Sequence, residues 1–209
     1  MASIAINYRP VIKALGIEED NFTKAASDAE SILKYTESKI SGRNFWQVSP
    51  DELRFIYSIS VNLKARNVVE TGVGPGTTSY AFLTALKQTG GKLTSFDLGV
   101  KYGEAERGEP VGFVVPAELK DNWRLITGDS KKTLPSEIVG LGPIDIFMHD
   151  SEHTYEHVTF ELNTVSTHLS SKFLILVDNY DWTQAPVDFS KEKNLKLTPI
   201  ADDLCAIYA

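Results

Sequence analysis

From Asn67 onward the sequence alternates short β-rich runs with helical stretches, which confines the chain to a small set of folds. The runs are Val68–Thr71, Lys92–Asp97, Trp123–Thr127, Ile144–His149 and Phe173–Val177. Helical stretches fall at Thr78–Lys87 and at about Thr154–Leu169, where Tyr155, Val158, Leu162, Val165 and Leu169 share one side. Strands separated by helices predict a parallel sheet with right-handed crossovers. Phe173–Val177 is apolar throughout, the pattern of a central strand covered on both faces. Leu195–Ile200 and Leu204–Tyr208, separated by Ala201-Asp202-Asp203, predict a closing antiparallel hairpin. The fold class expected is therefore α/β, a doubly wound and mostly parallel sheet finished by that hairpin.

The first 66 residues read as a helical extension packed on a domain spanning 67–209, in one structural unit. Val11–Leu15 suggests a short helix. Phe22, Ala25, Ala26, Ala29, Ile32 and Leu33 recur at three and four, predicting one amphipathic helix over Asn21–Ser38. Ser49-Pro50-Asp51-Glu52 opens another: Ser as N-cap, Pro at the first helical position, Glu completing a capping box. Leu53, Ile56, Ile59, Ser60 and Leu63 form its buried stripe. Residues 99–122, rich in Gly and with Pro110 and Pro116, predict a loop with a short helix after Pro116, acting either as a lid or as a plain connection.

Composition excludes some partners. Twenty-one Lys and Arg against 28 Asp and Glu give a net charge of −7, which disfavours nucleic acid in bulk and anionic lipid. The lone cysteine, Cys205, permits no internal disulfide and sits among apolar neighbours. The longest purely apolar run, Phe173–Val177, is too short to span a bilayer, and a cytoplasmic location is expected.

Between the first strand and its helix lies Glu70-Thr71-Gly72-Val73-Gly74-Pro75-Gly76-Thr77-Thr78. Glycines in such a turn permit positive φ and let a ligand approach the backbone, while the helix N-terminus offers unpaired N–H groups. A dinucleotide fingerprint would need glycine at 72, 74 and 77, and position 77 is Thr. Glu70-x-Gly72-x-Gly74-x-Gly76 instead resembles the first motif of the class I methyltransferases that use S-adenosylmethionine. Their seven-stranded sheet, with its terminal antiparallel pair, is similar to the pattern above.

Each of the five predicted parallel strands ends at or just before an acid: Glu70, Asp97, Asp129, Asp150 and Asp178. Ligands of open α/β sheets bind beyond these carboxyl ends, so a negative rim suited to a sulfonium, a ribose diol, an adenine amine or a metal ion is expected. The resemblance implies that Glu70 lies near the methionine moiety, that Asp97, followed by Leu98, accepts from the ribose hydroxyls, and that Gly128-Asp129-Ser130 faces the adenine. Gly72, Gly74, Gly76, Thr77 and Asp150 complete the implied cofactor set. For each acid the competing reading is a helix cap or a loop salt bridge.

Ile144-Asp145-Ile146-Phe147-Met148-His149-Asp150-Ser151-Glu152-His153-Thr154-Tyr155-Glu156 is similar to the Asp-Gly-Asp-His-Ser-Tyr-Glu stretch of small methyltransferases. That group is related to metal-dependent sugar O-methyltransferases and cephalosporin hydroxylase-like proteins. Ser151 and Glu152 depart from it, standing where Gly and Asp are usual. Val177-Asp178-Asn179-Tyr180 resembles the acidic pair after the fifth strand, and its Asp-Asn form matches the metal pair of catechol O-methyltransferase-like enzymes. Asp150, Asp178 and Asn179 would then offer oxygen ligands suited to Mg²⁺. Otherwise Asp150 caps a helix and Asp178-Asn179 turns the chain. His153, a turn from Asp150, is the candidate general base, while His149 should point to the opposite face.

His153-x-x-Glu156-His157 also matches an inverted zinc-peptidase signature, but three fixed residues are a low-specificity match. Tyr180, Trp182, Phe189 and Trp46 either wall a substrate pocket or simply pack. The function expected is S-adenosylmethionine-dependent O-methylation of a small hydroxylated molecule. The alternatives are an inactive cofactor-binding relative and, less favoured, a nicotinamide-dependent oxidoreductase. The N-terminal helices would cap the cofactor or form a homodimer surface.

Overall fold

The computed structural model describes residues 6–42, 47–99 and 108–209. Trp46 and residues 100–107 of the expected loop lie outside them. Five parallel strands, β1 (Asn67–Thr71), β2 (Lys92–Asp97), β3 (Trp123–Thr127), β4 (Ile144–His149) and β5 (Leu169–Val177), are joined by β6 (Lys196–Ala201) and β7 (Leu204–Tyr208). The order is β3-β2-β1-β4-β5-β7-β6, with β7 antiparallel to both β5 and β6. Order reverses between β1 and β4, so the loops after these two strands diverge and leave a crevice.

Alternating side chains divide the core between the two faces of the sheet. Val68, Ile146, Met148, Leu174 and Leu176 pack with the N-terminal helices and with α5 (Thr77–Leu86). Val69, Phe147, Ile175 and Val177 pack against α6 (Ser130–Ile138), α7 (Tyr155–Ser166) and α8 (Ala185–Glu192). On the first face, Val11 of α1 (Arg9–Ala14), Phe22 of α2 (Glu19–Asp28), Ile32 of α3 (Glu30–Ile40) and Ile56 of α4 (Pro50–Leu63) join one continuous cluster. Such burial contributes about 1.5–3 kcal/mol per large apolar side chain, which holds the N-terminal segment on the sheet.

The capping box forms as read: Glu52 N donates to Ser49 Oγ, and Ser49 N donates to Glu52 Oε2 at 2.7 Å. The helix expected over Asn21–Ser38 is two. Ser31 Oγ donates to the Asp28 carbonyl, and Ile32 N donates to the Ala29 carbonyl three residues back, so the ladder tightens there and turns. The helix expected to run to Leu169 ends at Ser166, and β5 begins at Leu169, earlier than its apolar run suggests. A 3₁₀ helix, Ala117–Asn122, follows Pro116. α6 and α8 carry no clear apolar stripe and were not anticipated; α6 even contains Pro135. Among the described residues, no helix is long and apolar enough to cross a membrane.

Candidate active site

The loop from β1 to α5 is shaped by what presses on it. Gly72, at φ +80°, lies where a Cβ would come within 1.7 Å of the Asp150 carbonyl oxygen, so the two switch-point loops touch backbone to backbone. Gly76 adopts φ +92° as the N-cap of α5, and there a Cβ would meet Gly112 Cα at 2.8 Å. Gly112 N and Val114 N donate to the Gly74 and Pro75 carbonyls, so this part of the expected lid is fixed against the loop.

The crevice is a cavity of about 540 Å³ at the carboxyl ends of β1, β2, β3 and β4. Gly72, Gly74, Thr77, Asp97, Leu98, Gly128, Asp129, Ser130 and Asp150 line it, nine of the implied cofactor residues. Glu70 and Gly76 do not. Glu70 shares the α5 face of β1 with Val68, which carries its carboxylate beneath the loop, and Gly76 is turned to the 110–115 segment. Gln47, Phe96, Lys131, Glu152 and His157 line the cavity without having been anticipated.

Asp97 Oδ2 accepts from Val73 N at 2.9 Å and Gly74 N at 3.4 Å, and Oδ1 accepts from Gly99 N at 2.8 Å. It therefore braces the glycine loop from the neighbouring strand. Asp129 combines two readings: it caps α6, accepting from Lys131 N at 2.9 Å, and it lines the cavity. Glu70 is fully buried, and its Oε2 accepts from Ser79 Oγ at 2.6 Å and Ser95 Oγ at 2.7 Å. Oε1 has no partner among the described residues. Burial pushes this carboxyl up to about 7.

Asp150, which lines the cavity, brings its ligand atom within 4.8 Å of those of His153 and Asp178, which likewise lie within that distance of each other. Helix α7 is capped by Thr154, so Asp150 is not that helix's cap. Burial and the facing Asp178 raise the Asp150 carboxyl well above its usual range. Burial and Asp203 raise Asp178 to about 6. Asn179 takes φ +48° and turns the chain, and its Nδ2 donates to Asp203 Oδ2, leaving the amide oxygen as its remaining donor atom toward a cation. Glu52, reaching in from α4, groups with Asp178 and Asp203 and accepts from Leu204 N at 3.1 Å.

His153 precedes α7 instead of lying on it. Its Nε2 is 3.9 Å from Asp150 Oδ1, and its ring meets Trp182 edge-on at 5.4 Å. Burial and the neighbouring His149 pull its pKa down to about 4, so it is neutral at physiological pH. His153 and His157 do not share a metal group among the described residues, which removes the geometric basis of the zinc-peptidase reading. Phe189 is core, whereas Trp182 is 68% exposed beside His153. His149 points to the opposite face, as alternation requires, and its Nδ1 lies 2.7 Å from Glu161. The buried hub at Glu161 was not legible as such; the signal was a carboxylate at i+4 from His157 on an otherwise apolar helix face.

The family model of the methyltransferase domain matches residues 69–180, more than half of the chain and every strand that borders the cavity except part of β1. The chain belongs to this methyltransferase family. Solved structures share the fold of this methyltransferase. Cofactor-bound Rv0187 from MTB is 17% identical, with a TM-score of 0.61 over 86% of this chain and 88% of that one. The O-methyltransferase from Bacillus cereus in complex with SAH is 16% identical, with a TM-score of 0.59 over 96% of each chain. TomG from Streptomyces achromogenes, an O-methyltransferase of tomaymycin synthesis in complex with SAM, is 15% identical, with a TM-score of 0.59 over 96% and 95%. At these identities the likeness is one of fold. No curated protein sequence gives a significant match.

Proposed function

We propose that this methyltransferase is a cytoplasmic enzyme that takes its methyl group from S-adenosylmethionine and passes it to the oxygen of a small hydroxylated molecule. The observation that carries the reading is the cavity: a glycine loop and helix N-terminus, Asp97 beside them, and Asp150, which lines the same cavity and brings its carboxylate to Asp178 and His153. Asp97 would hold the ribose diol, residues 128–130 the adenine, and the glycine loop the amino-acid portion. The fit is chemical: Asp97 and Asp129 present acceptors where a nucleoside has donors, and Gly72 and Gly74 let the ligand reach backbone.

The second part of the reading is a divalent cation, Mg²⁺ by its oxygen donors, held by Asp150, Asp178 and Asn179 with His153 alongside. Burial and Asp178 raise the Asp150 carboxyl, and burial and Asp203 raise that of Asp178, a crowded donor set that a cation would relieve. Such a cation lowers the pKa of a coordinated hydroxyl. A base of pKa about 4 draws a proton weakly at neutral pH, so His153 would take the acceptor's proton only from a hydroxyl already made acidic. Trp182 offers the acceptor an apolar surface next to that point, and positioning donor and acceptor in line is where most of the rate gain would arise.

Thermal melts with S-adenosylhomocysteine, NAD and NADP, each with Mg²⁺ or chelator, test the cofactor. The right ligand at 100 times its dissociation constant adds about 2.7 kcal/mol, or roughly 5–10 °C. Single-turnover transfer from labelled S-adenosylmethionine to a panel of phenols, catechols and sugars then tests the chemistry. A shift with NAD and none with S-adenosylhomocysteine would overturn the proposal.

A further inference from the structure

Glu161 lies on α7, fully buried, and five side chains from separate parts of the fold converge on it. Thr71 Oγ1 at 2.6 Å and His149 Nδ1 at 2.7 Å meet Oε2. Ser130 Oγ at 2.6 Å, His157 Nε2 at 2.8 Å and Ser151 Oγ at 3.0 Å meet Oε1. Ser151 is one of the two departures from the Asp-Gly-Asp-His pattern. The other, Glu152, has an oxygen 3.5 Å from His157 Nδ1. Both departures thus belong to this network.

An ionised carboxylate only accepts, so each of the five partners must turn a hydrogen toward it. Burial alone would raise the Glu161 carboxyl, but the hydrogen bonds from His149, His157 and Ser130 outweigh it and hold the group well below its usual range. Ser130 has one hydroxyl hydrogen, and both of its inner partners, Glu161 Oε1 at 2.6 Å and His157 Nε2 at 2.9 Å, lie inside the protein, so that hydrogen is engaged there. What the Ser130 hydroxyl can offer the cavity it lines is a lone pair. Asp129, next to it on the same wall, also only accepts. Lys131, the adjoining side chain that donates, is solvent-exposed and can serve either kind of base.

We propose that Glu161 is a positioning residue that fixes the Ser130 proton inward and so makes the nucleoside end of the cavity an acceptor wall, selecting a 6-amino purine over a 6-oxo purine. The inference rests on the reading of this end as the adenine site. An amino group donates to such a wall, whereas a 6-oxo group sets acceptor against acceptor and leaves both unpaired.

The test is calorimetric titration of S-adenosylhomocysteine and of its 6-oxo analogue, S-inosylhomocysteine, into the wild type, Glu161→Gln and Ser130→Ala. The wild type should prefer the amino form by about tenfold or more, the scale of one hydrogen bond. Glu161→Gln offers Ser130 an N–H and frees its proton to turn outward, so a folded variant should still bind S-adenosylhomocysteine but with the preference reduced to within about threefold. A merely structural Glu161 would lower the melting temperature and both affinities together, with their ratio unchanged; that result overturns the proposal. A wild type that binds both nucleosides alike overturns it while leaving the cofactor reading intact. A wild type that binds neither overturns the cofactor reading and this inference with it. Should Glu161→Gln fail to melt cooperatively, Ser130→Ala decides: loss of the preference supports the acceptor wall, and an unchanged preference overturns it.

Discussion

Replacing Glu70 by Gln should make the protein more stable in alkaline solution and leave it unchanged in mild acid. Glu70 is fully enclosed beneath the glycine loop, and Ser79, Ser95 and, through Ser95, the Trp123 indole N–H are the donors that reach it. Two hydroxyl donors on one oxygen do not compensate a buried charge whose other oxygen has no partner. Burial first, opposed by those two bonds and reinforced by the Asp97 charge, raises the group from its ordinary 4.5 to about 7. In the unfolded chain the carboxyl loses its proton near 4.5, and in the fold it keeps that proton until about 7.

The sign follows. Folding favours the protonated form, so the stabilisation from the raised pKa is complete below about pH 4.5 and is lost as pH climbs through 7. At about 1.36 kcal/mol per pH unit, the interval corresponds to roughly 3 kcal/mol. Gln has nearly the shape of the protonated acid and accepts from both serines, but it does not ionise. Urea unfolding at pH 4, below the unfolded pKa of 4.5, should give nearly equal stabilities. At pH 8.5 the variant should be ahead by about 2–3 kcal/mol, or on the order of 10 °C in melting temperature. Taking the difference between variant and wild type removes the slope contributed by Glu52 and the Asp150–Asp178 pair. A difference that stays flat from pH 4 to 8.5 would refute the reasoning, because a buried carboxyl with these partners cannot titrate in the fold as it does in the unfolded chain.

Asp97→Ala removes the acceptor for the Val73, Gly74 and Gly99 N–H groups as well as the proposed ribose contact. Calorimetry should show S-adenosylhomocysteine affinity reduced at least about tenfold, and an unchanged affinity would remove the ribose assignment. Asp178→Asn takes one of two crowded charges from a site where burial and Asp203 hold the carboxyl near 6 instead of 3.8. The metal-free variant should gain about 1–2 kcal/mol at pH 8, with the gain fading toward pH 4, and the rise in melting temperature on adding Mg²⁺ should disappear. Gly72→Ala would force a methyl group onto the Asp150 carbonyl at positive φ. A loss of more than about 3 kcal/mol, or no soluble protein, is expected in denaturant unfolding.

The sheet was legible because its cause is local: β-rich runs, helical stretches and a terminal pair appear in the sequence in the order in which they form. The carboxyl-edge acids were legible for the same reason, since parallel strands deliver their C-terminal residues to one edge whatever the packing above them. Two things were not. α6 is held by the Asp129 cap and by Leu134 and Ile138 against the sheet, while its exposed Lys and Ser positions and Pro135 mask the helical signal. Glu161 showed only as a carboxylate four residues from His157 on an apolar helix face; its role was hidden because its partners come from residues 71, 130, 149, 151 and 157 and meet only after β1, β4, α6 and α7 have packed. Alternation did place His149 on the face away from Asp150; it could not say that a carboxylate waited there.

What separates the acids of this fold is the supply of donors each one meets, not their place in it. Glu161 meets five donors and stays ionised in complete burial. Asp97 meets three backbone N–H groups and braces the loop. Glu70 meets two hydroxyls and is pushed toward the neutral form, whereas Asp150 and Asp178 have mainly each other, and Asp178 also faces Asp203. The donor-poor acids thus group at and behind Asp150, while Asp97 and Asp129 on the cavity wall have their acceptors braced by backbone and helix-cap bonds. A ligand with a neutral, donor-rich nucleoside and a demand for a cation near its reactive oxygen would satisfy both groups.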